Sequence, residues 1–404
     1  MMSDWSGSEM PTIYLDNAAT SWPKPPEVGA AIELVSREAG GNPGRSAHRL
    51  SIAAARVVEH GREAVAGLLN AEDPGRIVFT HNATHALNVA LYSLVGPGDH
   101  VVTTSVEHNS VMRPLRHLES QGVALTVVPC QPDGTLDPAR VRDAYRSNTR
   151  LLVTAHGSNV TGTLLPIGTL AIDARARGVL YLVDASQTAG AVPINVRQDR
   201  IDLLAFTGHK ALLGPTGTGG LYVRDGVTLT PLIRGGTGSD SARETQPEFL
   251  PDMLESGTPN VAGIAGLAAA IGVLSDVGIE TVRAHERALV ARFIAAASEI
   301  PHVTVYGVGD AAARCGVISF NVAGSTPAEV AVVLDDSFGI MARAGLHCAP
   351  AAHRTLGTFP GGTVRFSVGW FNTSADIDAA LDALREIAAW AAAPRQPLAE
   401  PWTA

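Results

Sequence analysis

The chain is expected to be α/β, with a large domain built on a mainly parallel sheet followed by a smaller C-terminal α+β domain. Three observations predict this. Short apolar runs rich in β-formers recur between helical patterns from residue 76 to residue 224, the alternation a parallel sheet requires. Two of these runs, 179–183 and 201–206, end in chemistry-bearing residues, Asp184 and Thr207-Gly208-His209-Lys210, at the strand edge where open α/β sheets bind ligands. From Val261 the alternation gives way to alanine-rich helices and strands that do not form a βαβ series.

At 404 residues the chain has room for about two domains. The expected division is an N-terminal segment over 1–25 packing near the site, a large domain over 26–260, a small domain over 261–393 and a tail over 394–404. A 46% hydrophobic and 17% charged composition supplies core for a globular fold. The net charge of −9 argues against nucleic acid or an anionic membrane as partner, because both call for a basic surface. The apolar helix patterns at 264–274 and 387–393 are shorter than the roughly 20 residues a bilayer span needs. With a polar start, MMSDWSGSEMP, and no basic-then-apolar leader, a cytoplasmic location is expected.

Residues 13–20 read as a short strand running into polar turn residues, and Pro23, Pro25 and Pro26 stiffen the segment before a helix begins near Glu27. The turn formers of 42–48 make a second loop, with Arg45 and His48 as its long polar side chains. A strand over 76–80 leads into a helix starting over 81–88, and the free N–H groups of such a start bind phosphate, which makes Ala83 and Thr84 candidates. His81 and His85 have the i,i+4 spacing of metal ligands on a helix, but no third ligand is evident and no metal is expected. The strand over 100–105 ends near His108, and an imidazole after a strand end can lie flat on an aromatic cofactor.

Strands over 124–129 and 150–155, each preceded by a helical pattern at 113–121 and 138–145, continue the alternation. The second opens the turn His156-Gly157-Ser158-Asn159-Val160-Thr161-Gly162. The glycine-rich loop 214–220 lacks the Gly-Lys-Ser/Thr ending of a nucleotide P-loop. After a strand over 220–224, glycine and hydroxyl clusters follow at 235–239 and 255–260. Helices over 261–275 and 280–298, strands over 302–306 and 316–322, a helix over 327–336, strands over 340–344 and 363–369 and a helix over 375–392 complete the chain.

Asp184 and Lys210, delivered from two strands with Thr207, His209 and glycines beside them, suit pyridoxal phosphate. That cofactor needs a lysine amine to bond its aldehyde, a carboxylate to keep its pyridine nitrogen protonated, and hydroxyls or N–H groups for its phosphate. Of the three cysteines, none has CxxC spacing, so neither a zinc site nor a disulfide scaffold is indicated. Cys130 and Cys315 adjoin strands and read as packing residues. Cys348 lies in the loop 343–350 near Arg343 and His347, the setting of an exposed thiol that ionises, against the usual fate of a lone cysteine as a buried small hydrophobe. A substrate carboxylate needs a fork of donors, which an arginine guanidinium supplies.

These stretches resemble the class V, fold-type I pyridoxal-phosphate enzymes, and among them the cysteine desulfurase and selenocysteine lyase branch. The likeness runs from residue 13 to about 390, and Arg343-Ala344-Gly345-Leu346-His347-Cys348 looks like the Arg-x-Gly-x-His-Cys motif of the group II desulfurases. It implies a fold-type I transferase with a sheet of the seven-stranded type, pyridoxal 5'-phosphate as cofactor, and a homodimer. Lys210 is then the residue that bonds the cofactor, Asp184 the partner of its pyridine nitrogen, and Gln187 a neighbour of its ring hydroxyl. Ala83, Thr84, Thr207 and His209 fall to the phosphate, and Thr258 to the phosphate of the partner subunit. His108 stacks on the ring as acid and base, with Asn159 against the ring and the substrate carboxylate. Asn17, His48, Asn159, Arg343 and Arg365 face the substrate, and Cys348 is the catalytic thiol.

The implied reaction converts L-cysteine to L-alanine, leaving sulfur as a persulfide on Cys348 for a sulfur-acceptor protein or small thiol, with L-selenocysteine as the related substrate. The other readings are a selenocysteine lyase or another class V lyase or aminotransferase that does not require Cys348, and a catalytically silent scaffold. Intact Lys210, Asp184 and His108 oppose the last. His85 stands where the family often carries Glu, and Asn109 departs from the common His-Ala-Asn.

Overall fold

Strands buried on both faces form the centre of the protein, described by a computed structural model over residues 12–44, 46–240 and 242–393. The first part of the chain runs β1 (Ile13–Tyr14), α1 (Pro26–Glu38), α2 (Arg49–Leu69), β2 (Ile77–Thr80), α3 (Ala83–Leu94), β3 (His100–Thr104), α4 (Asn109–Ser120), β4 (Ala124–Val128), α5 (Pro138–Ala144), β5 (Thr149–Ala155), α6 (Ile167–Arg175), β6 (Leu180–Asp184), β7 (Leu203–Thr207) and β8 (Gly219–Val223). The second runs α7 (Val261–Val277), α8 (Ile279–Ala297), β9 (Val303–Tyr306), β10 (Val317–Val322), α9 (Pro327–Phe338), β11 (Ile340–Met341), β12 (Arg343–Gly345), α10 (Pro350–Leu356), β13 (Thr363–Ser367) and α11 (Ser374–Ala392).

Seven strands form the large sheet in the order β2-β8-β7-β6-β5-β3-β4. Only β8 runs antiparallel to its neighbours, so the sheet is mainly parallel as expected. Val183, Leu204 and Tyr222 pack under helices on one face, and Leu151, Leu182 and Leu203 on the other. Burial of both faces explains why these strands read as continuous apolar runs. β3 and β5 pair only as far as Val102 and Leu152, so their carboxyl ends diverge under the site.

The four-stranded antiparallel sheet β12-β13-β10-β9 has its own core, in which Phe293, Phe320 and Phe366 pack edge to face with Leu15. Leu15 follows β1, which pairs in parallel with β11, so the N-terminal segment is stitched to the small domain. The strand expected over 340–344 is two strands serving two sheets, because the chain changes partner at Ala342. An alternation over five residues does not reveal such a change.

Helix α7 departs from the expected division at residue 260. Its Leu267, Ile271 and Leu274 are buried with Val65, Leu69 and Ile77 in the large-domain core. The turn to the small domain comes at Gly278, whose φ of +86° lets α7 and α8 meet at 80°. An alanine-rich apolar helix reads alike in either domain, and only its packing partner separates the two.

Candidate active site

The carboxyl ends of β3, β5, β6 and β7 open into a cavity of about 190 Å³ lined by Asn82, Ala83, Thr84, His108, Ser110, Asn159, Asp184, Ser186, Gln187, Thr207, His209 and Lys210. Nine of these are residues the sequence singled out. The β-α turns bring them together because each follows a strand that the parallel sheet ends on the same edge.

At one end, Asn82 caps α3 by accepting the N–H of His85 at 3.0 Å, and its carbonyl takes the N–H of Ala86. The N–H groups of Ala83 and Thr84 are then the free donors of the helix start, where the helix dipole favours an anion. Nearby, Thr207 Oγ1 and His209 Nδ1 are buried with no hydrogen-bond partner among the described residues. Orphaned buried polar atoms are costly unless a ligand satisfies them. Two such atoms beside free helix N–H groups fit a phosphate. Burial, then the charges of Lys210 and Lys24, pushes the His209 imidazole down to about 4, so it is neutral at pH 7.

At the other end, Asp184 closes β6 and accepts from Ser186 N at 2.9 Å and Ser186 Oγ at 2.5 Å. Both bonds use Oδ1, leaving Oδ2 for a ring nitrogen. Gln187 Nε2 donates to the Ala18 carbonyl at 3.2 Å, which holds the N-terminal segment against the cavity. Lys210 is pushed down to about 8, chiefly by burial; Asp184 opposes the shift, while Arg365 and Arg343 add to it. An amine so placed spends an appreciable fraction of its time unprotonated and nucleophilic at neutral pH. These features fit pyridoxal phosphate, with Lys210 to bond it, Asp184 to hold its ring nitrogen, and Ala83, Thr84, Thr207 and His209 to hold its phosphate.

His108 is the N-cap of α4: its Nδ1 accepts from Ser110 N at 3.0 Å. A ring nitrogen that accepts an N–H bears no proton, so in the neutral ring Nε2 carries it. Burial, then Lys210, pushes His108 down to about 4, and Asp184 opposes this. Ser110 Oγ bridges His108 Nδ1 at 2.9 Å to Thr84 Oγ1 at 2.8 Å. Beneath His108 lies Glu107, a residue the sequence reading passed over. Its Oε1 accepts from Thr104 Oγ1 at 2.5 Å and its Oε2 from Ala155 N at 2.8 Å, filling the gap where β3 and β5 diverge.

The small domain supplies the other wall. Cys348 is the one exposed cysteine; Cys130 and Cys315 are buried, with burial raising both thiols to about 11. Cys348 Sγ lies 3.6 Å from Arg343 Nη2, and its carbonyl accepts from Asn109 N at 2.8 Å, one residue from His108. His347 and Cys348 both have left-handed backbone, φ +50° and +57°. Each such non-glycine residue costs about 1–2 kcal/mol, so the loop is held by its contacts and not by local preference. Arg365 is 1% exposed; its Nη2 donates to Asp16 Oδ1 at 2.6 Å and its Nη1 to the Asn159 carbonyl at 3.3 Å. Its Nε is buried without a partner among the described residues, a donor left for a carboxylate.

Several expected residues sit elsewhere. Asn17 is a strut: Nδ2 donates to the Ser367 carbonyl and to Asn372 Oδ1, both at 3.0 Å, and Oδ1 accepts from Trp22 N. Both of its amide N–H groups are thereby committed within the protein. His48 is exposed and caps α2 by accepting from Ser51 N, an N-cap role that turn composition alone did not distinguish from a site role. Asn159 lines the cavity, yet its Nδ2 is engaged with the His347 carbonyl at 2.7 Å, tying the Cys348 loop to the large domain. Thr258 lines a separate cavity of about 370 Å³ with His81 and His85, and receives Asn42 Nδ2 at 3.2 Å. Arg45 lies outside the described residues.

A mainly parallel α/β domain with a lysine and an aspartate at its strand ends, a phosphate cradle and a second domain closing over them defines the pyridoxal-phosphate class of enzymes. The family model described as aminotransferase class-V matches residues 13–380. The chain is 38% identical over 382 residues to a probable cysteine desulfurase of Methanothermobacter thermautotrophicus, covering 93% of this chain and 94% of that one. It is 33% identical to the cysteine desulfurase of Haloferax volcanii, covering 93% and 90%. The apo structure of cysteine desulfurase from Thermococcus onnurineus NA1 superposes with a TM-score of 0.89 at 34% identity, covering 94% and 95% of the two chains. The protein belongs to the class V aminotransferase family and, within it, to the cysteine desulfurases.

Proposed function

We propose that this protein converts L-cysteine to L-alanine with pyridoxal 5'-phosphate and carries the released sulfur as a persulfide on Cys348. The observation that carries this reading is the placement of the exposed Cys348 thiol next to Arg343, on a loop tied by Asn109 N and Asn159 Nδ2 to the rim of the Lys210 cavity. When bound, the cofactor supplies an electron sink for the substrate's α-carbon. Arg365 Nε receives the substrate carboxylate, and Arg343 adds a second cation on the same face of the sheet, directly opposite Arg365 in register. Lys210 Nζ, held near 8 by burial, takes the proton from Cα and returns it. His108 Nε2 holds a proton within the cavity, in a ring that burial keeps neutral.

Cys348 Sγ attacks the substrate sulfur: the S–S bond forms as the Cβ–S bond breaks, Cβ keeps the electron pair and takes a proton, and alanine leaves. Persulfide sulfur then passes to an acceptor protein or small thiol, for which the exposure of Cys348 leaves access. The active form is a homodimer in this reading, with Thr258 serving the partner's site. Its position outside the Lys210 cavity of its own chain, near exposed Ile233, supports that assignment.

The test measures alanine and sulfide from L-cysteine, with L-selenocysteine in parallel, for the native protein and Cys348→Ala. Alanine from cysteine that vanishes in the variant establishes the mechanism. Reaction of selenocysteine alone, or a fully active variant, overturns the role of Cys348 and leaves a lyase.

A further inference from the structure

The loop carrying Cys348 is tied from inside by two imidazoles in a row. His347 Nε2 lies 3.3 Å from the Arg343 carbonyl, His347 Nδ1 lies 3.3 Å from His353 Nε2, and His353 Nδ1 lies 2.8 Å from Thr358 Oγ1. A carbonyl only accepts, so His347 carries its proton on Nε2 and presents a bare Nδ1. His353 must therefore donate from Nε2, and its own bare Nδ1 takes the Thr358 hydroxyl proton. The Arg343 carbonyl thus sets the tautomer of His347, and the Leu346 carbonyl, also bonded by the His353 ring, favours the same arrangement. Protonating His347 would force His353 to move its proton to Nδ1, with the Thr358 hydroxyl turning to accept. Burial resists this, pushing His347 down to about 2 and His353 to about 4.

The row joins the start of β12 to the turn after α10, the two stems of the segment that holds Cys348. His353 is fully buried in α10 and does not itself line the cavity. What it touches is His347, which precedes Cys348, shares its left-handed backbone and gives its carbonyl to Asn159. We propose that His353 is a positioning residue for sulfur transfer: acting through His347, it holds the Cys348 backbone in the one conformation that keeps the thiol at the substrate's sulfur. The role rests on the desulfurase reading. It separates the two halves of the reaction, since proton transfer at Cα uses Lys210, which none of the row's hydrogen bonds reaches.

The experiment compares the native holoenzyme with His353→Phe, His353→Gln and Thr358→Val. Phe fills the site without a donor, Gln restores an N–H near the position of Nε2, and Val removes the hydroxyl at the far end of the row. Two readouts are taken: alanine release from L-cysteine against Cα-proton exchange of L-alanine in D2O, and backbone hydrogen exchange of the segment 346–349, where Ala349 N bonds the Leu346 carbonyl.

The expected result for H353F is a fall of about tenfold in alanine release, the equivalent of one buried hydrogen bond lost. Cα exchange should be unchanged, and exchange at 346–349 faster. H353Q should recover most of the rate, and T358V should move the same way by less. Equal alanine release in H353F and native protein overturns the proposal, as does a parallel loss of Cα exchange in every variant, which would mark a general loss of structure. A native protein that releases no alanine defeats the desulfurase reading itself. The amide exchange of 346–349 still tests the tether in that case, and identical exchange in native and variant proteins refutes it.

Discussion

Replacing Glu107 by Gln should stabilise the protein at neutral and alkaline pH, and the size of the gain follows from where the carboxyl sits. Glu107 is fully buried between the diverging ends of β3 and β5. Burial is the main cause that lifts it from an ordinary 4.5 to about 8; Asp184 adds to the rise, and the bonds from Thr104 and Ala155 oppose it. The folded protein therefore holds this proton more tightly than the unfolded chain does. Its contribution to stability is fully present below pH 4.5 and is lost as pH rises through 8. Each tenfold change in proton affinity is about 1.4 kcal/mol, so the loss is about 3 kcal/mol at pH 7 and at most about 5 kcal/mol above pH 8. Gln has the same shape and cannot ionise. It keeps an oxygen for Ala155 N–H and turns its amide toward Thr104 Oγ1, a hydroxyl that accepts as well as donates. Urea unfolding of both apo proteins at several pH values between about 5 and 9 measures the difference directly. Buried Glu286, also raised to about 8, affects both proteins alike and cancels. A stability difference that stays constant across that range would refute the reasoning, since it would mean that Glu107 is not protonated in the folded state.

Three further outcomes are expected. Thr207→Val should leave apo stability within about 1 kcal/mol, because the hydroxyl it removes has no partner among the described residues, while weakening pyridoxal phosphate binding about tenfold in a spectroscopic titration. A marked loss of apo stability would contradict this. Asp16→Ala strips the carboxylate from a guanidinium that is 1% exposed; because the Asp16 side chain is itself 22% exposed, the cost should be about 2–4 kcal/mol by urea unfolding, with a raised KM for L-cysteine. An unchanged KM would show that Asp16 does not orient Arg365. Gly219→Ala would bring a Cβ to 2.7 Å from Asn82 Cα and 2.7 Å from the Phe206 carbonyl, both backbone. The shift this forces at the cap of α3 should cost about 1–3 kcal/mol and weaken cofactor binding, and native-like binding would show that the cradle tolerates movement at Asn82.

Much of the site was legible because its residues end strands. Asp184 and Lys210 follow apolar runs, and a parallel sheet brings every such ending to one edge. Ala83 and Thr84 could be read from a strand running into a helix start, and Cys348 from its small, turn-forming neighbours. Glu107 was passed over because a carboxylate in a turn reads as solvated. It is buried only because β3 and β5 separate after Val102, a property of pairing between segments some fifty residues apart. Asn17 and His48 are polar residues in suggestive loops whose hydrogen bonds within the chain close on Ser367, Asn372 and Ser51, a bracing role that their loop composition did not show.

The sequence by itself determined the α/β class, the parallel sheet and the edge on which chemistry collects, because period, length and turn residues are local properties of the chain. Which helix belongs to which domain, which asparagine faces a ligand and which histidine braces a thiol were decided by tertiary structure. The physical reason is that burial and hydrogen-bond satisfaction are properties of neighbours, not of residues. His353 illustrates it: an imidazole on a short helix carries no signal until Thr358 and His347 close on its two nitrogens.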